Sequence, residues 1–391
     1  MTEVIEEARA YQEKIVYWRR QLHQIPELDL ELPKTSAYIV DVLGSAGIQT
    51  KRLRSCSGVI GLIEGKRPGK TIALRADMDA LPVKEETGLP FASAGGAMHA
   101  CGHDAHMAML LAAAEILMKH REKWSGCVKL IFQPGEERSG GAERMLAEGV
   151  FQKPAVDAVI GLHTGNLFEG IKSGQVGICY GPMMASQDHF TVKILGKGTH
   201  GAYPSWGVDP VVIAAQIITA LQTIVSREVS SDEPAVLTIG KIQGGEVYNV
   251  IPGEVELEGS IRNTSPLNRE KLARRIEELI SFVARGMRGD YELSYTYGFP
   301  VLVNDAAFTK GFYETAAKVV GKENVVEITK PLMGSEDMAF FLEKVPGTYV
   351  FLASIPPGRS YPHHNSRFDL DENVLWRGAA LLAQGALDWM V

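Results

Sequence analysis

The run VKLIFQPGEE, residues 128–137, is a β-branched and aromatic segment that ends in a polar turn carrying two adjacent carboxylates, Glu136 and Glu137. The neighbouring segments alternate in the same way. They are the predicted strand Thr71–Arg75, the helix Asp104–His120, the helix near Gly141–Glu148 and the strand Ala158–Leu162. Strands that alternate with helices predict an α/β fold with a mostly parallel sheet covered on both faces.

Polar side chains follow the predicted strands at the points where they end. Asp77 and Asp79 come after the first strand, Glu136 and Glu137 after the second, and His163 after the third. Ligands of such sheets collect at the carboxyl ends of the strands. We therefore expect these side chains to meet in one site.

The pattern changes near residue 185, where a smaller β-α-β-β-α-β unit is predicted. Its elements are strand His189–Leu195, helix Pro210–Glu228, strand Ala235–Gly244, strand Glu254–Arg262, helix Asn268–Ala284 and strand Glu292–Tyr297. We expect an α/β/α catalytic domain, residues 1–184 and 297–391, that is interrupted by an inserted lid domain, residues 185–296.

Composition excludes several classes of function. The 391 residues carry a net charge of −7, which argues against nucleic acid as the main partner. No window approaches the roughly 20 uninterrupted apolar residues of a membrane span, and the first residues do not resemble a secretory signal. Four cysteines without CxxC pairing predict a reduced, cytoplasmic protein.

Five side chains at predicted strand and helix ends are good metal ligands: Cys101, His103, Glu137, His163 and His364. Thiolate, imidazole and carboxylate together suit zinc or a related divalent transition metal. The five residues come from separate stretches, which excludes a zinc-finger hairpin. They also exceed the three protein ligands usual for one catalytic ion, and this indicates two ions that share a bridging ligand.

Each of these residues has an ordinary structural alternative when it is taken alone. A cysteine before a glycine is commonly a small buried residue, and a histidine at a helix start or strand end can be a core or capping residue. Adjacent glutamates can form a charged turn. The residues open to these alternatives are Cys101, His103, His106, Glu136, Glu137, His163, His363 and His364.

Nine stretches together resemble the M20 family of metallopeptidases, and more narrowly its amidohydrolase branch, in order and over nearly the whole chain. They are LRADMDALP (74–82), HACGHDAH (99–106), QPGEE (133–137), GLHTGN (161–166), GKGTHGAYPSWGVDP (196–210), VYNVIP (247–252), GSIRN (259–263), MGSEDMAFF (333–341) and PHHNSRFDLDE (362–372). This branch includes aminoacylases, hippurate hydrolases, indole-acetyl-amino-acid hydrolases and some carboxypeptidases. The resemblance implies a hydrolase with two divalent ions per subunit (Zn, Mn, Co or Ni) and a lid through which the chain forms a homodimer or higher homo-oligomer.

The resemblance also assigns roles to individual residues. The five ligands named above bind the metals, and Glu136 is the general base. His200, on the lid, stabilises the developing oxyanion in the partner subunit's site, while Asn249 and Arg262 bind the substrate's α-carboxylate. Related branches carry a histidine where this chain has Asp77, so Cys101 takes over ligation and Asp79 is expected to hold a ligand imidazole.

We expect metal-dependent hydrolysis of N-acyl amino acids, with N-acetyl and aromatic acyl groups both open. A carboxypeptidase or dipeptidase and an N-acetyl-diaminopimelate deacetylase are alternatives on the same scaffold. A thiol hydrolase using Cys101 would be indifferent to chelators and would leave the other ligands unexplained. A non-catalytic binding protein would have a broken ligand set, whereas this set is intact.

Overall fold

The computed structural model describes residues 2–358 and 360–390. The chain forms two compact units. The first takes in the chain up to Gly181, Val303–Thr329 and the chain from Asp337 onward. The second consists of Pro182–Leu302 and Lys330–Glu336.

Ten α-helices occur in the described residues. They are α1 (Thr2–Ala10), α2 (Gln12–His23), α3 (Pro33–Ser45), α4 (His103–Lys119), α5 (Gly141–Ala147), α6 (Pro210–Thr223), α7 (Pro266–Gly286), α8 (Ala306–Val320), α9 (Met338–Leu342) and α10 (Leu375–Met390). Local chemistry sets several of their starts. In α6, for example, the Asp209 side chain accepts hydrogen bonds from the N–H groups of Val211 and Val212, and Pro210 begins the first turn.

Sixteen strands occur in the same residues. They are β1 (Gln49–Arg52), β2 (Val59–Glu64), β3 (Thr71–Asp77), β4 (Cys127–Gln133), β5 (Ala158–Gly165), β6 (Val176–Ile178), β7 (Gly181–Met184), β8 (Asp188–Leu195), β9 (Thr199–His200), β10 (Ala235–Gln243), β11 (Val250–Ile251), β12 (Glu254–Asn263), β13 (Asp290–Tyr297), β14 (Leu302–Asn304), β15 (Val325–Glu327) and β16 (Gly347–Ala353).

The first unit is built on an eight-stranded sheet in the order β1-β2-β4-β3-β5-β16-β6-β15. The central strands β4, β3, β5 and β16 are parallel to one another, while β1, β2 and β6 add antiparallel pairings. These central strands are buried along their whole length, as expected for strands covered on both faces. The predicted α/β class with a mostly parallel sheet is confirmed.

Helix α4 lies at the centre of this unit, and the predicted metal ligand His103 is its first residue. Fourteen of its 17 residues are buried, including Leu110 and Leu111, and it packs against α2, α10 and β3. Burying one such leucine side chain stabilises the fold by about 1.5–3 kcal/mol. Alternate residues of β3, such as Ile72 and Leu74, join this core. The opposite face of the sheet packs on α5 and α9. The packing on α9 is close, because a Cβ on Gly161 of β5 would lie 3.1 Å from the Met338 side chain.

The second unit has a four-stranded antiparallel sheet in the order β10-β12-β8-β13. Its inward side chains, such as Phe190, Val192 and Ile194 of β8, pack with Ile217 of α6 and Ile276 of α7. The chain order of these elements is the predicted β-α-β-β-α-β order. Each observed element begins and ends within two residues of its predicted limits, except α6, which passes into a π-helical turn at Ile224–Glu228.

One helical segment in the described residues, Pro210–Glu228, has the length and composition of a membrane-crossing helix, and 33% of its most apolar window is buried. This segment contains polar residues such as Gln216 and Gln222, so it is compatible with the absence of an uninterrupted apolar run. Ile213, Ile217 and Leu221 on its buried face pack on the four-stranded sheet. A single helix of this kind is weak evidence for a membrane span.

Candidate metal centre

The five predicted metal ligands all belong to the first unit, and the structure brings them together. Their potential ligand atoms form two overlapping triads, each within 4.8 Å: Cys101 with His103 and His163, and Cys101 with Glu137 and His364. Cys101 therefore belongs to both triads, and it would be a shared ligand if each triad held an ion. Cys101 and His103 lie at the start of α4, and His163 lies near the end of β5.

Short distances link the two triads. The Cys101 Sγ lies 3.5 Å from the His163 Nε2. The Glu137 Oε1 lies 3.4 Å from the His364 Nε2 and 3.9 Å from the His103 Nε2. One ring nitrogen of each of three histidines thus points at the same small region as the thiol and a carboxylate oxygen.

Hydrogen bonds on the outer nitrogens set the orientation of two of these rings. The His103 Nδ1–H donates to the Asp79 carbonyl oxygen at 2.8 Å, and the His163 Nδ1–H donates to the Thr164 carbonyl oxygen at 2.8 Å. A histidine whose Nδ1 carries the proton presents the lone pair of Nε2 to a metal. Both rings are therefore held as metal ligands require.

The site passes a direct test of whether it fits a cation. Among the described residues, the buried His103 Nε2 and Glu137 Oε1 have no hydrogen-bond partner. Buried polar atoms without partners are costly and uncommon in folded proteins. A divalent ion would satisfy both atoms at once, and the thiolate, imidazole and carboxylate donors suit a transition metal.

The charges around the site favour a cation there. Burial lowers the pKa of His103, but the carboxylates of Asp77, Asp79 and Glu137 outweigh it and raise that pKa to about 10. Burial, together with Glu137, raises the pKa of the Cys101 thiol well above its usual range. A bound metal would displace both protons. Without one, Cys101 is a poor nucleophile, which weakens the thiol-hydrolase alternative.

Glu136 lies beside the two triads as a second, distinct carboxylate. Its side chain is 7% exposed, and an oxygen of it lies within 4.8 Å of the ligand atoms of His103 and Glu137. Its backbone N–H donates to the Asp79 Oδ1 at 3.0 Å, and the N–H of Glu137 donates to the Asp79 Oδ2 at 3.1 Å. Asp79 therefore fixes the turn that presents both glutamates.

The structure refines the expected role of Asp79. The carbonyl oxygen of this residue, and not its carboxylate, accepts the hydrogen bond from His103, because the carboxylate Oδ1 lies 3.7 Å from the His103 Nδ1. The carboxylate instead accepts the two backbone N–H groups of the glutamate turn. Asp79 thus positions both the His103 imidazole and the turn that carries the two glutamates.

Replacing Asp79 by asparagine should lower metal affinity or kcat by roughly 10–100-fold. The new amide N–H₂ would face one of the two backbone N–H groups that the carboxylate now accepts, so that one group loses its partner. Metal titration and steady-state kinetics measure the effect. The control is Asp29→Asn, because Asp29 is exposed and accepts a hydrogen bond from Ser139 in the same turn region. Equal behaviour of the two variants would contradict this role.

His106 lies next to the ligands but is not available to a metal. Its Nδ1–H donates to the Asp77 Oδ1 at 2.6 Å, and its Nε2 accepts the Thr164 N–H at 2.9 Å. Both ring nitrogens are engaged in hydrogen bonds, so His106 fits the alternative of a buried core histidine. It stacks on His103 at 5.4 Å between ring centroids and supports that ring.

A buried polar network beneath the site was missed by sequence reasoning. Arg75 pairs with Asp77 at 2.8 Å and with Asp337 at 2.9 Å, and Asp337 also accepts from the Gln133 side chain. Burial raises the pKa of Asp77, but His103, His106 and Arg75 outweigh this effect and hold that pKa well below its usual range. Asp337 lies more than 200 residues from Gln133, so no local pattern signals this contact. Arg75 is nevertheless notable in the sequence as a charged residue at the end of a predicted buried strand.

The two adjacent histidines after β16 have different surroundings. The His363 Nε2–H donates to the Thr164 carbonyl oxygen at 3.1 Å, whereas the His364 Nε2 points at Glu137. His364 has a φ of 66°, a left-handed backbone conformation that is uncommon for residues other than glycine. This geometry fits the assignment of His364 as the ligand.

The remaining predicted residues belong to the second unit. The N–H of Gly201 donates to the Asn249 carbonyl oxygen at 2.7 Å, so Asn249, which immediately precedes β11, lies beside the end of β9 that carries His200. The His200 Nδ1 accepts the N–H of Ala202 at 3.1 Å, which leaves its Nε2–H as an exposed donor. Arg262, at the end of β12, is half-buried.

Comparison with known proteins places this geometry in a family. A profile of peptidase family M20/M25/M40 matches residues 73–388. An N-acetyl-L-cysteine deacetylase of Bacillus subtilis is 39% identical over 96% of this chain and 88% of its own, and thermostable carboxypeptidase 1 of Saccharolobus solfataricus is 38% identical over 96% of both chains. The crystal structure of Bacillus subtilis YXEP, a dinuclear metal-binding peptidase of the M20 family, is similar with a TM-score of 0.84 and 32% identity over 97% of this chain and 99% of that one.

Proposed function

The chain belongs to peptidase family M20/M25/M40, and we propose that it is a dinuclear metal hydrolase that cleaves the amide bond of N-acyl amino acids. The observation that carries this proposal is the convergence of five ligand side chains, with Cys101 shared by two triads, beside the buried carboxylate of Glu136. The proposed ligands are Cys101, His103, Glu137, His163 and His364.

Two divalent ions held by these residues would polarise the substrate carbonyl and lower the pKa of the attacking water. Glu136 accepts the proton of that water and then delivers it to the leaving amine. Its neighbour Glu137 is committed to ligation, so the two adjacent carboxylates have separate tasks. The Asp79 carboxylate fixes the backbone of both glutamates, because it accepts a hydrogen bond from the N–H group of each.

The second unit supplies the residues that recognise substrate. Arg262 and Asn249 bind the free carboxylate, because a guanidinium matches a carboxylate with two parallel hydrogen bonds. The His200 Nε2–H stabilises the oxyanion. We assign residues 185–296 as the lid and dimerisation domain, with His200 acting in the partner subunit's site. An active monomer in sedimentation measurements at assay concentration would contradict that last point.

The cytoplasm is the proposed compartment. All four cysteines of the chain, Cys56, Cys101, Cys127 and Cys179, are free and buried. Free thiols are typical of a reducing environment.

A carboxypeptidase activity is the second candidate, because a carboxypeptidase is as similar to this chain as a deacetylase is. The guanidinium of Arg262 would bind the terminal carboxylate of a peptide equally well. The two activities differ in the group on the acyl side of the scissile bond, which is a simple acyl group in one and a peptide in the other.

A substrate panel tests the proposal. Purified protein supplied with Zn, Mn, Co or Ni should hydrolyse N-acetyl or N-benzoyl amino acids and lose that activity with a chelator. The same panel includes dipeptides and N-protected dipeptides, and a preference for these would favour the carboxypeptidase. Absence of turnover on every N-acyl amino acid with metal bound would overturn the proposed function.

A further inference from the structure

The guanidinium of Arg262 is held by three oxygen atoms of the second unit. Its Nη1 donates to the Met333 carbonyl oxygen at 3.0 Å and to the Ser335 Oγ at 3.3 Å, and its Nη2 donates to the Gln187 Oε1 at 3.1 Å. The Ser335 hydroxyl also donates to the Gln187 Oε1 at 2.7 Å. We call this set of three acceptors the Arg262 cradle.

Every acceptor in the Arg262 cradle is neutral. No carboxylate pairs with Arg262 among the residues that the structure describes, whereas the buried or half-buried Arg19, Arg75 and Arg269 each pair with an aspartate at 2.9 Å or less. Burial lowers the pKa of Arg262, and no carboxylate opposes this shift. Arg262 keeps its charge under all ordinary conditions. Its positive charge is therefore uncompensated.

The hydrogen bonds of the cradle also leave donors available. An arginine side chain has five N–H donors, and the bonds above use three of them. The Nε–H and one Nη2–H have no hydrogen-bond acceptor among the residues that the structure describes. Two donors are what one carboxylate accepts from a guanidinium.

The backbone around the cradle is fixed by its own contacts. The Gln187 N–H donates to the Phe299 carbonyl oxygen at 2.9 Å, and a Cβ on Gly298 would lie 2.2 Å from the Gln187 carbonyl oxygen. On the other side, the N–H of Ala185 donates to the Leu332 and Gly334 carbonyl oxygens at 2.9 Å each. Side chains that extend from such fixed backbone can hold a binding group in one orientation.

We propose that Gln187 and Ser335 are positioning residues that orient Arg262 without neutralising it, so that its charge is kept for the carboxylate of the substrate. The inference rests on the proposed function, because it deepens the role given there to Arg262. A carboxylate at position 187 would make the same hydrogen bonds but would pair with Arg262 and compete with the substrate. A neutral amide orients the guanidinium and leaves its positive charge available to an anion.

The substitution Gln187→Glu tests this proposal, because it keeps the size and the acceptor oxygen while it adds a negative charge. We expect KM for N-acyl amino acids to rise roughly 10–100-fold with little change in kcat. The rate with the corresponding N-acyl amino acid amide, which lacks the carboxylate, should not fall. The control Gln216→Glu makes the same change at an exposed position of α6 and should leave KM unchanged.

A purely structural role for Gln187 predicts the opposite, because a glutamate would hold the guanidinium at least as firmly. An unchanged KM in Gln187→Glu, or an equal loss on the amide substrate, would overturn the proposal. Ser335→Ala provides a second test if the first variant folds poorly. It should raise KM by a smaller factor, about 3–10-fold, and Ser335→Thr should restore the wild-type value because the hydroxyl is kept.

Equilibrium binding separates this inference from the proposed function. Isothermal titration with an N-benzyl amino acid, which has the carboxylate but no scissile amide, should show weaker binding to Gln187→Glu than to wild type. If wild type binds this compound and the variant does not, the inference stands even where no substrate is hydrolysed. If wild type and variant bind it equally, the inference fails whether or not the enzyme is active.

Discussion

Replacing Glu136 by glutamine should leave two metal ions per chain in place and lower kcat by roughly 10²–10⁴-fold, the usual contribution of a general base. Glutamine has the same shape and keeps the backbone N–H that donates to Asp79 at 3.0 Å, so the turn is preserved. Its amide cannot accept a proton from water or return one to the leaving amine. The loss should therefore appear in kcat, with metal content measured by atomic emission unchanged.

Two comparisons make the result specific. Glu143→Gln makes the same change at an exposed position of α5 and should have wild-type kinetics. Glu137→Gln should instead reduce metal content, because Glu137 is the carboxylate of the second triad. If Glu136→Gln retains wild-type kcat, the base lies elsewhere. If it loses metal as Glu137→Gln does, then Glu136 is a ligand.

Replacing Cys101 by alanine should have the broadest effect on the metal centre. The Sγ atom belongs to both triads, so its removal deprives both proposed ions of a ligand at once. We expect metal content to fall from two ions to less than one per chain, and activity to fall by about 10³-fold or more, because the attacking water depends on bound metal.

The control for this prediction is Cys56→Ala, which removes another buried free thiol that lies in neither triad. It should keep full metal content. His364→Ala should give an intermediate result, because His364 belongs to one triad only. A Cys101→Ala protein that retains two ions and full activity would contradict the bridging role. Loss of activity with metal fully retained would favour a nucleophilic cysteine.

Sequence patterns predict most of the fold because its elements have strong local signals. The strands β3, β4 and β5 each contain a run of apolar residues, and α6 starts at an Asp-Pro cap. The strands that sequence reasoning missed have weak signals. The β1 strand, Gln49–Arg52, is entirely polar and lies at the sheet edge, and β6 and β15 have three residues each. Pairing with neighbouring strands creates such elements, and pairing is not visible in local sequence.

The ligand types of the candidate site are visible in the sequence, but the contacts that orient them are not. The positions of His103 and Glu137 after predicted elements indicate a site at one sheet edge. That the carbonyl oxygen of Asp79 holds His103 depends on backbone geometry. The contact between Gln187 and Ser335 joins residues 148 positions apart, so only the folded chain reveals it.

Anomalous X-ray diffraction from crystals grown with manganese or zinc would locate the proposed metal pair. We expect two anomalous peaks per chain, both within bonding distance of the Cys101 Sγ, one next to His103 and His163 and the other next to Glu137 and His364. A single peak, or peaks that lie away from these five side chains, would contradict a metal pair bridged by Cys101.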